Sequence, residues 1–592
     1  MAIQQLDEPS TFKGTSYVGG EASGVLMTSD LELSFWGGVS SQTGHVIDKH
    51  HPLSGQELKG RVLAIPGGRG SCTGSTVILE LLLKDIAPAA LVFERRDEIL
   101  TLGVIVSEEL FGIAIPVMTL DPSDFRQLLK LNGRSVHISN GQISTYHPGN
   151  GTSKIIHEVD SSEPKCSTPD LNLTELDYAF LENAHGDAAR AAMRIVLRLA
   201  RVMGATELMD VTQVHVDGCG YTGKGALAFA ENLRDRGGKV RVPTTLNSIS
   251  VDKNLQRVQG ANEEFTDGAT RLADAYTDMG ARPTFTCAPY QLDTAPGLGE
   301  QIAWAESNAV VYANSVLGAR TMKYPDFLDI CIGLTGRAPK AGPHVEINRR
   351  ATVIVEAPRV SIENIDDSFY PLLGYHVGSI AVSQIPAVTG VEHLAPTQDD
   401  LKAFGAAFAT VSGAPMFHIV GVTPEASTLE AATGGALTMR SVETKITDLI
   451  KCWNELNTAA KGQPVDLVSL GNPHFSLSEI QQLAQLCKGR TKDPDVHVMV
   501  TCGRTTYASA CRSKLTDELE EFGVQFITDT CWCMITEPTI PHTTNATITN
   551  SGKYAHYGPG LTGKSFYFGD LARCVDAACG SNYVESRPRW LE

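Results

Sequence analysis

The residues of this sequence whose types could do chemistry are scattered thiols, one glycine-rich loop and one lysine in a phosphate-loop pattern. Cys287 lies in TFTCAPYQLDTAPGLGEQIAWAESNAVVYANSVLGART, a stretch too dense in Ser, Asn, Glu and Arg to be plain core. Cys531 and Cys533 form Cys-Trp-Cys at a strand end, and Cys574 and Cys579 fall in the last helical pattern. These spacings are not those of a local metal finger, and any one cysteine reads first as a small buried hydrophobe. Thiolates for an iron–sulfur cluster can nonetheless converge from distant loops. The loop Gly67-Gly68-Arg69-Gly70-Ser71-Cys72-Thr73-Gly74-Ser75 lies between a strand-like and a helix-like stretch. Its consecutive amides could hold a carboxylate or steady an alkoxide; equally, the glycines could serve only a tight connection. Gly558 to Ser565, GPGLTGKS, matches the phosphate-loop pattern letter for letter. That motif works when a strand leads in and a helix leads out. Here the lead-in NSGKYAHY is polar and broken by glycine, and the exit SFYFGDL is strand-like, so the context argues against a nucleotide. A nucleotide-binding ATPase or kinase built on Gly558–Ser565 is kept as the rival of a different class.

These groups need elements to position them. Residues 1–147 read as one compact domain. RVLAIP is a short buried strand entering the glycine loop, and TVILELLLKDI repeats apolar residues at helical spacing, so a helix begins directly after the loop, with Ser75 as its expected cap. AALVFE and IAIPVMTL read as further strands, and SVHISNGQISTY as a hairpin turning at Asn140-Gly141. Residues 148–170, rich in Pro, Gly, Ser and charge, read as a linker. The remainder, 171–592, opens with a capping box, Thr174 and Asp177, before an amphipathic helix expected to run through Met203. Towards the end, DLVSL, VHVMVTC and VQFITDTC alternate with helices. SLSEIQQLAQLC is capped by Ser476 and Glu479, a second helix surrounds ACRSKLTDELEEFG, and GNPHF reads as a turn. The alternation predicts an α/β fold with mostly parallel sheets. In such sheets ligands sit at the carboxyl ends of strands, where Asn472-Pro473-His474, Cys502 and Cys531 are expected.

Composition narrows the function classes. At 592 residues the chain is too long for one core, and 42% apolar with 20% charged residues is ordinary for a folded protein. A net charge of −18, without a dense Lys/Arg block, makes nucleic acid an unsuitable partner. The start, MAIQQLDEPS, lacks a secretory pattern, and the most apolar stretch is broken by Glu108, Glu109 and Pro116, so neither export nor a membrane span is expected. The expected location is the cytoplasm, where the 13 cysteines stay reduced. Nothing in the sequence decides between a monomer and a homo-oligomer.

Longer ordered motifs carry a resemblance. GGVSSQTGHVIDKHHPLSGQELKGRVLAIPGGRGSCTGS is similar to the small subunit of the aconitase X family. HVDGCGYTGKGALAFAENL, VPTTLNSISVD, CAPY, WAESNAVVYANSVLGART, DTC and NSGKYAHYGPG are similar to its large subunit. The resemblance spans nearly the whole chain and places the phosphate-loop pattern inside a family motif. It implies a small swivelling β/α domain fused to a larger aconitase-like α/β domain that carries an iron–sulfur cluster.

By that resemblance, Cys287, Cys531 and Cys574 are the expected cluster ligands, and Ser71 takes the place of a catalytic serine. The family motif that often reads Gly-Cys-Pro-His is here Gly471-Asn472-Pro473-His474, which favours a smaller cluster such as 2Fe–2S over a cubane. Two activities are implied: dehydration of mevalonate 5-phosphate, or dehydration of cis-3-hydroxy-L-proline, a hydroxylated proline. Fusion and Asn472 favour the second. Iron would act as Lewis acid on the departing hydroxyl, with Ser71 as base and His474 and Lys553 as further catalytic candidates. Arg69, His215, Thr245, Glu306, Ser307 and Asn308 are the expected substrate-binding positions.

Overall fold

The computed structural model describes residues 10–49, 51–145, 171–255, 262–436, 438–580 and 586–592. The expected linker, 148–170, lies outside the described residues. Packing divides the chain into two units. The first holds residues up to Asp210 together with Thr222–Arg241 and Pro325–Ala341; the second holds Val211–Tyr221, Val242–Tyr324 and Gly342–Glu592.

In the first unit eight of the described strands form a mixed sheet, and Leu208–Asp210 pairs antiparallel with Arg337–Pro339 in a separate two-stranded sheet. The centre of the eight-stranded sheet is parallel: Glu21–Thr28, Arg61–Ile65, Ala90–Phe93 and Val117–Thr119. The hairpin Ser135–Ser139/Gln142–Thr145 turns at Asn140 and Gly141, at φ 50° and 72°, as the Asn-Gly pair predicts. Helix Gly74–Leu83 follows the glycine loop and is buried on every side. An all-round apolar helix needs cover beyond the sheet. It is packed by Glu98–Phe111 and by Lys224–Asp235, a helix from far beyond the expected linker. Gly103 permits the first contact, since a Cβ there would lie 2.5 Å from the Ser75 carbonyl oxygen. Ser75 is not the cap. Thr73 holds that position, and the Ser75 hydroxyl donates to the carbonyls of Cys72 (2.9 Å) and Asp326 (3.1 Å).

The Thr174–Asp177 capping box forms, but the expected long helix is two, Glu175–Leu181 and Asp187–Met203. Asn183 and Gly186 adopt positive φ between them, ending one helix and redirecting the chain. The helix expected around 510–523 is likewise split, into Arg504–Arg512 and Leu515–Phe522, by Lys514 at φ 61°.

Among the described residues of the second unit, sheets of three, four and five strands are all parallel. The five-stranded sheet runs Val524–Ile527, His497–Cys502, Leu467–Phe475, Ala546–Thr549, Ser565–Phe568. The segment GNPHF, expected as a turn, is the end of the central strand, with a register shift between Leu470 and Phe475. Gly471 makes this possible: at φ 95° it lies against Thr501, whose carbonyl oxygen would be 2.1 Å from a Cβ. No described helix is long and apolar enough to cross a membrane.

Candidate active site

The five-stranded sheet winds outward from its central strand, first to His497–Cys502 and Val524–Ile527, then to the other side. Such a reversal leaves a crevice at the carboxyl ends of the strands. Asn472, Pro473 and His474 end the central strand there. Cys531 to Met534 form a turn after Val524–Ile527, closed by the Met534 N–H on the Cys531 carbonyl at 2.9 Å. Ser551 caps helix Gly552–Thr562, whose first turn carries Lys553. The three-stranded sheet brings its own carboxyl ends. The Thr286 N–H donates to Leu246 at 3.1 Å, placing Cys287 just beyond Thr244–Leu246. Glu306 follows Ala303–Trp304 and caps helix Ser307–Tyr312.

The thiols of Cys287, Cys531 and Cys533 act on one another electrostatically. The His474 N–H donates to Cys287 Sγ at 3.3 Å, and Asn472 Nδ2 donates to Cys533 Sγ at 3.5 Å. A hydrogen bond from Cys531 holds the Cys533 thiol well below the ordinary range, helped by the Lys553 ammonium and Asn472. The Cys287 thiol, by contrast, is pushed up to about 12 by burial and by the Glu306 carboxylate. Trp532, between the two cysteines, is fully buried, and its indole donates to the Leu470 carbonyl at 2.7 Å, which anchors this turn to the central strand.

Lys553 Nζ contacts Glu306 Oε1 at 2.9 Å, with both side chains largely buried. Burial works against the ammonium, but Glu306 and the thiols outweigh it and raise its pKa, so Lys553 stays charged. Glu306 Oε2 also accepts the Ala309 N–H at 2.8 Å and the Asn308 amide. Asn308 Nδ2 reaches the Cys287 carbonyl at 3.0 Å, and its Oδ1 accepts from the Tyr290 hydroxyl at 2.8 Å.

His474 does not suit a proton carrier. Nε2 lies 2.8 Å from the Thr530 carbonyl and must donate to it, so the neutral ring accepts from the Thr286 hydroxyl through Nδ1 at 3.1 Å. Both nitrogens are therefore used, and burial holds its pKa down at about 4. His215 is also buried and lowered to about 4, with Nδ1 2.8 Å from Thr245 Oγ1. Its Nε2 has no hydrogen-bond partner; the nearby Thr286 carbonyl falls outside bonding geometry.

Thus the second unit brings together Cys287, Cys531, His474, Lys553, Glu306 and Asn308, with the His215–Thr245 pair within reach of the Glu306 charge. Ser307 is the first residue of its helix. Cys574 is not brought to them. It lies on the apolar stripe of helix Leu571–Cys579, among Ile480, Tyr567, Leu571 and Val575, and the charges acting on it are those of Asp570 and Asp367. The third thiol beside Cys287 and Cys531 is Cys533, the second cysteine of Cys-Trp-Cys. Ser71 and Arg69 belong to the first unit. Ser71 Oγ donates to Thr73 Oγ1 at 3.0 Å and accepts the Thr73 N–H at 3.3 Å, and Arg69 pairs with Asp48 at 3.0 Å. The phosphate-loop pattern is overturned: a helix, Gly552–Thr562, leads in and a strand, Ser565–Phe568, leads out, while Lys564 pairs with Glu537 at 2.8 Å.

The donor chemistry suits an iron–sulfur cluster. Three thiols from two turns face a fixed lysine charge, and buried Asn472 Oδ1 and Thr530 Oγ1 lack hydrogen-bond partners beside them. Among the described residues no three His, Cys, Asp or Glu side chains are arranged around a single ion; ligands of a polynuclear cluster need not share one.

Comparison with known proteins follows the same lines. Family models match residues 11–145 (aconitase X swivel domain), 170–347 (first domain), 351–454 (second domain) and 465–580 (third domain). The chain is 60% identical over 588 residues to a cis-3-hydroxy-L-proline dehydratase of Hypocrea jecorina, covering 99% of this chain and 98% of that protein. It is 49% identical over 574 residues to one of Pseudomonas aeruginosa, covering 97% of each. The crystal structure of Thermococcus kodakaraensis aconitase X in its holo-form matches at TM-score 0.62 and 28% identity, covering 69% of this chain and all of that one. With its α/β sheets, its thiols gathered at strand ends and all four domains matched, the chain belongs to the aconitase X family.

Proposed function

We propose that the chain is a cytoplasmic hydro-lyase that removes water from cis-3-hydroxy-L-proline, giving an enamine that tautomerises to Δ1-pyrroline-2-carboxylate. The observation that carries this reading is its near-full-length identity to two relatives named for that substrate. The chain carries residue types that the reaction needs. An α-proton must pass to a base, and the hydroxyl must leave as something better than hydroxide. We assign Cys287, Cys531 and Cys533 as ligands of a 2Fe–2S cluster, which when bound supplies Lewis-acid polarisation of the leaving hydroxyl. Lys553, its charge fixed by Glu306, offers the cation that a substrate carboxylate requires and is a poor base for the same reason. With both ring nitrogens of His474 occupied, Ser71 remains the candidate base. Its oxygen already accepts an amide N–H at the start of a helix, a setting that favours negative charge.

The test is turnover by anaerobically purified, iron-loaded protein offered cis-3-hydroxy-L-proline or mevalonate 5-phosphate. Dehydration of the proline alone is expected. Dehydration of mevalonate 5-phosphate alone would hand the function to the other activity of the family.

A further inference from the structure

Two non-glycine residues beside the thiols hold left-handed backbone, Phe285 at φ 41° and Asp529 at φ 66°. Each stands two residues before a site cysteine, Cys287 and Cys531 respectively. For a bulky phenylalanine this is a strained conformation, which persists only where surrounding contacts impose it.

One side chain meets both. Arg504 Nη2 reaches Asp529 Oδ2 at 2.7 Å while its Nε reaches Oδ1, a bidentate pair, and its guanidinium carbon lies 4.9 Å from the centre of the Phe285 ring. The Asp529 side chain is fully buried, and its Oδ2 also accepts the Asn254 N–H at 2.9 Å. Arg504 itself starts helix Arg504–Arg512, directly beyond strand His497–Cys502. It is therefore anchored to the five-stranded sheet and not to either thiol-bearing turn. An arginine suits this position because its planar fork can take a carboxylate along one edge while its face covers a ring; lysine would keep only the charge.

We propose that Arg504 is a positioning residue whose single guanidinium clamps both strained turns, and so sets the Cys287 thiol against Cys531 and Cys533. The inference rests on the reading of those three thiols as a cluster site.

The experiment compares wild type, R504K and R504A by two measurements: alkylation of individual cysteines in the metal-free protein, mapped by peptide mass spectrometry, and iron bound per chain after anaerobic reconstitution. Cys452 and Cys487, buried in other cores, serve as internal controls. In R504A, Cys287, Cys531 and Cys533 should react about tenfold faster, the scale of one hydrogen bond to a charged group, while Cys452 and Cys487 keep their rates. Bound iron should fall in R504A and recover partly in R504K. If R504A does not fold, R504Q provides the same comparison. Acceleration of all five thiols alike would mean general loosening and would overturn the clamp, as would wild-type alkylation in R504A. If the wild type binds no iron, the cluster reading fails, while the alkylation contrast still decides the role of Arg504.

Discussion

Ser71 and its partner Thr73 lie two residues apart in one loop, whereas the groups around Lys553 come from segments at Thr286, Glu306, Asn472, Thr530 and Ser551. In the loop, geometry is local. Gly70 turns the chain at φ 86°, the Thr73 N–H reaches Ser71 Oγ, and the helix begins at Gly74. Changing Ser71 removes one short-range hydrogen-bond pair from a partly exposed position. Around the thiols each group is held by the others: His474 fixes Cys287, Asn472 fixes Cys533, and Glu306 holds the charge of Lys553. Removing either member of that buried pair would leave an uncompensated charge. The loop can therefore lose its chemistry and keep its fold, while the thiol site ties the two together.

The largest effect that would sharpen this contrast is in Ser71→Ala. General base catalysis typically contributes ~10²–10⁴-fold, so turnover of cis-3-hydroxy-L-proline should drop by about that factor, with iron content and thermal midpoint unchanged. Turnover near that of the wild type would place the base elsewhere; loss of iron would show that the two regions are not separable.

Acid should separate the surroundings of two buried groups, one in each unit, by a smaller amount. In the second unit His215 and His344 are held down, at about 4 and about 3, chiefly by burial. The unfolded chain binds protons at these sites first, so stability is complete above about pH 6.5 and declines as pH falls, by up to about 3 kcal/mol for His215. In the first unit burial raises Asp97, and burial with the Asp97 charge raises Glu98 to about 7. There the folded state binds the protons first, so stability grows as pH falls from about 7 towards the carboxylate range. Hydrogen exchange, corrected for its intrinsic pH dependence, should show Val214–Val216, the strand that carries His215, losing protection near pH 5 while Arg61–Ile65 keeps it. Equal loss in both strands would contradict the assignment of these groups.

What the sequence reveals follows the same division. The Asn140-Gly141 hairpin and the capping boxes at Thr174 and Ser476 are legible because each signal lies within a few adjacent residues. The breaks at Asn183–Gly186 and Lys514 are not, since helical periodicity continues on both sides and neither site carries a proline. Cys574 illustrates the harder case. A thiol on an apolar helical stripe looks the same whether it faces a core or a cluster, and only the packing of Leu571–Cys579 decides. Cys533 stands in the letters as the second thiol of Cys-Trp-Cys, but only the turn that holds Cys531 to Met534 brings it to Asn472 and Lys553. Arg504 carries no sequence signal, as its partners Phe285 and Asp529 are distant and their backbone angles are invisible in the letters.

Iron and acid-labile sulfide bound per chain, measured after anaerobic reconstitution of Cys533→Ser and Cys574→Ser, test most directly whether Cys287, Cys531 and Cys533 form the cluster site. Cys574→Ser should bind both at the wild-type level, and Cys533→Ser should lose most of them. Loss in Cys574→Ser with retention in Cys533→Ser would contradict the site described here.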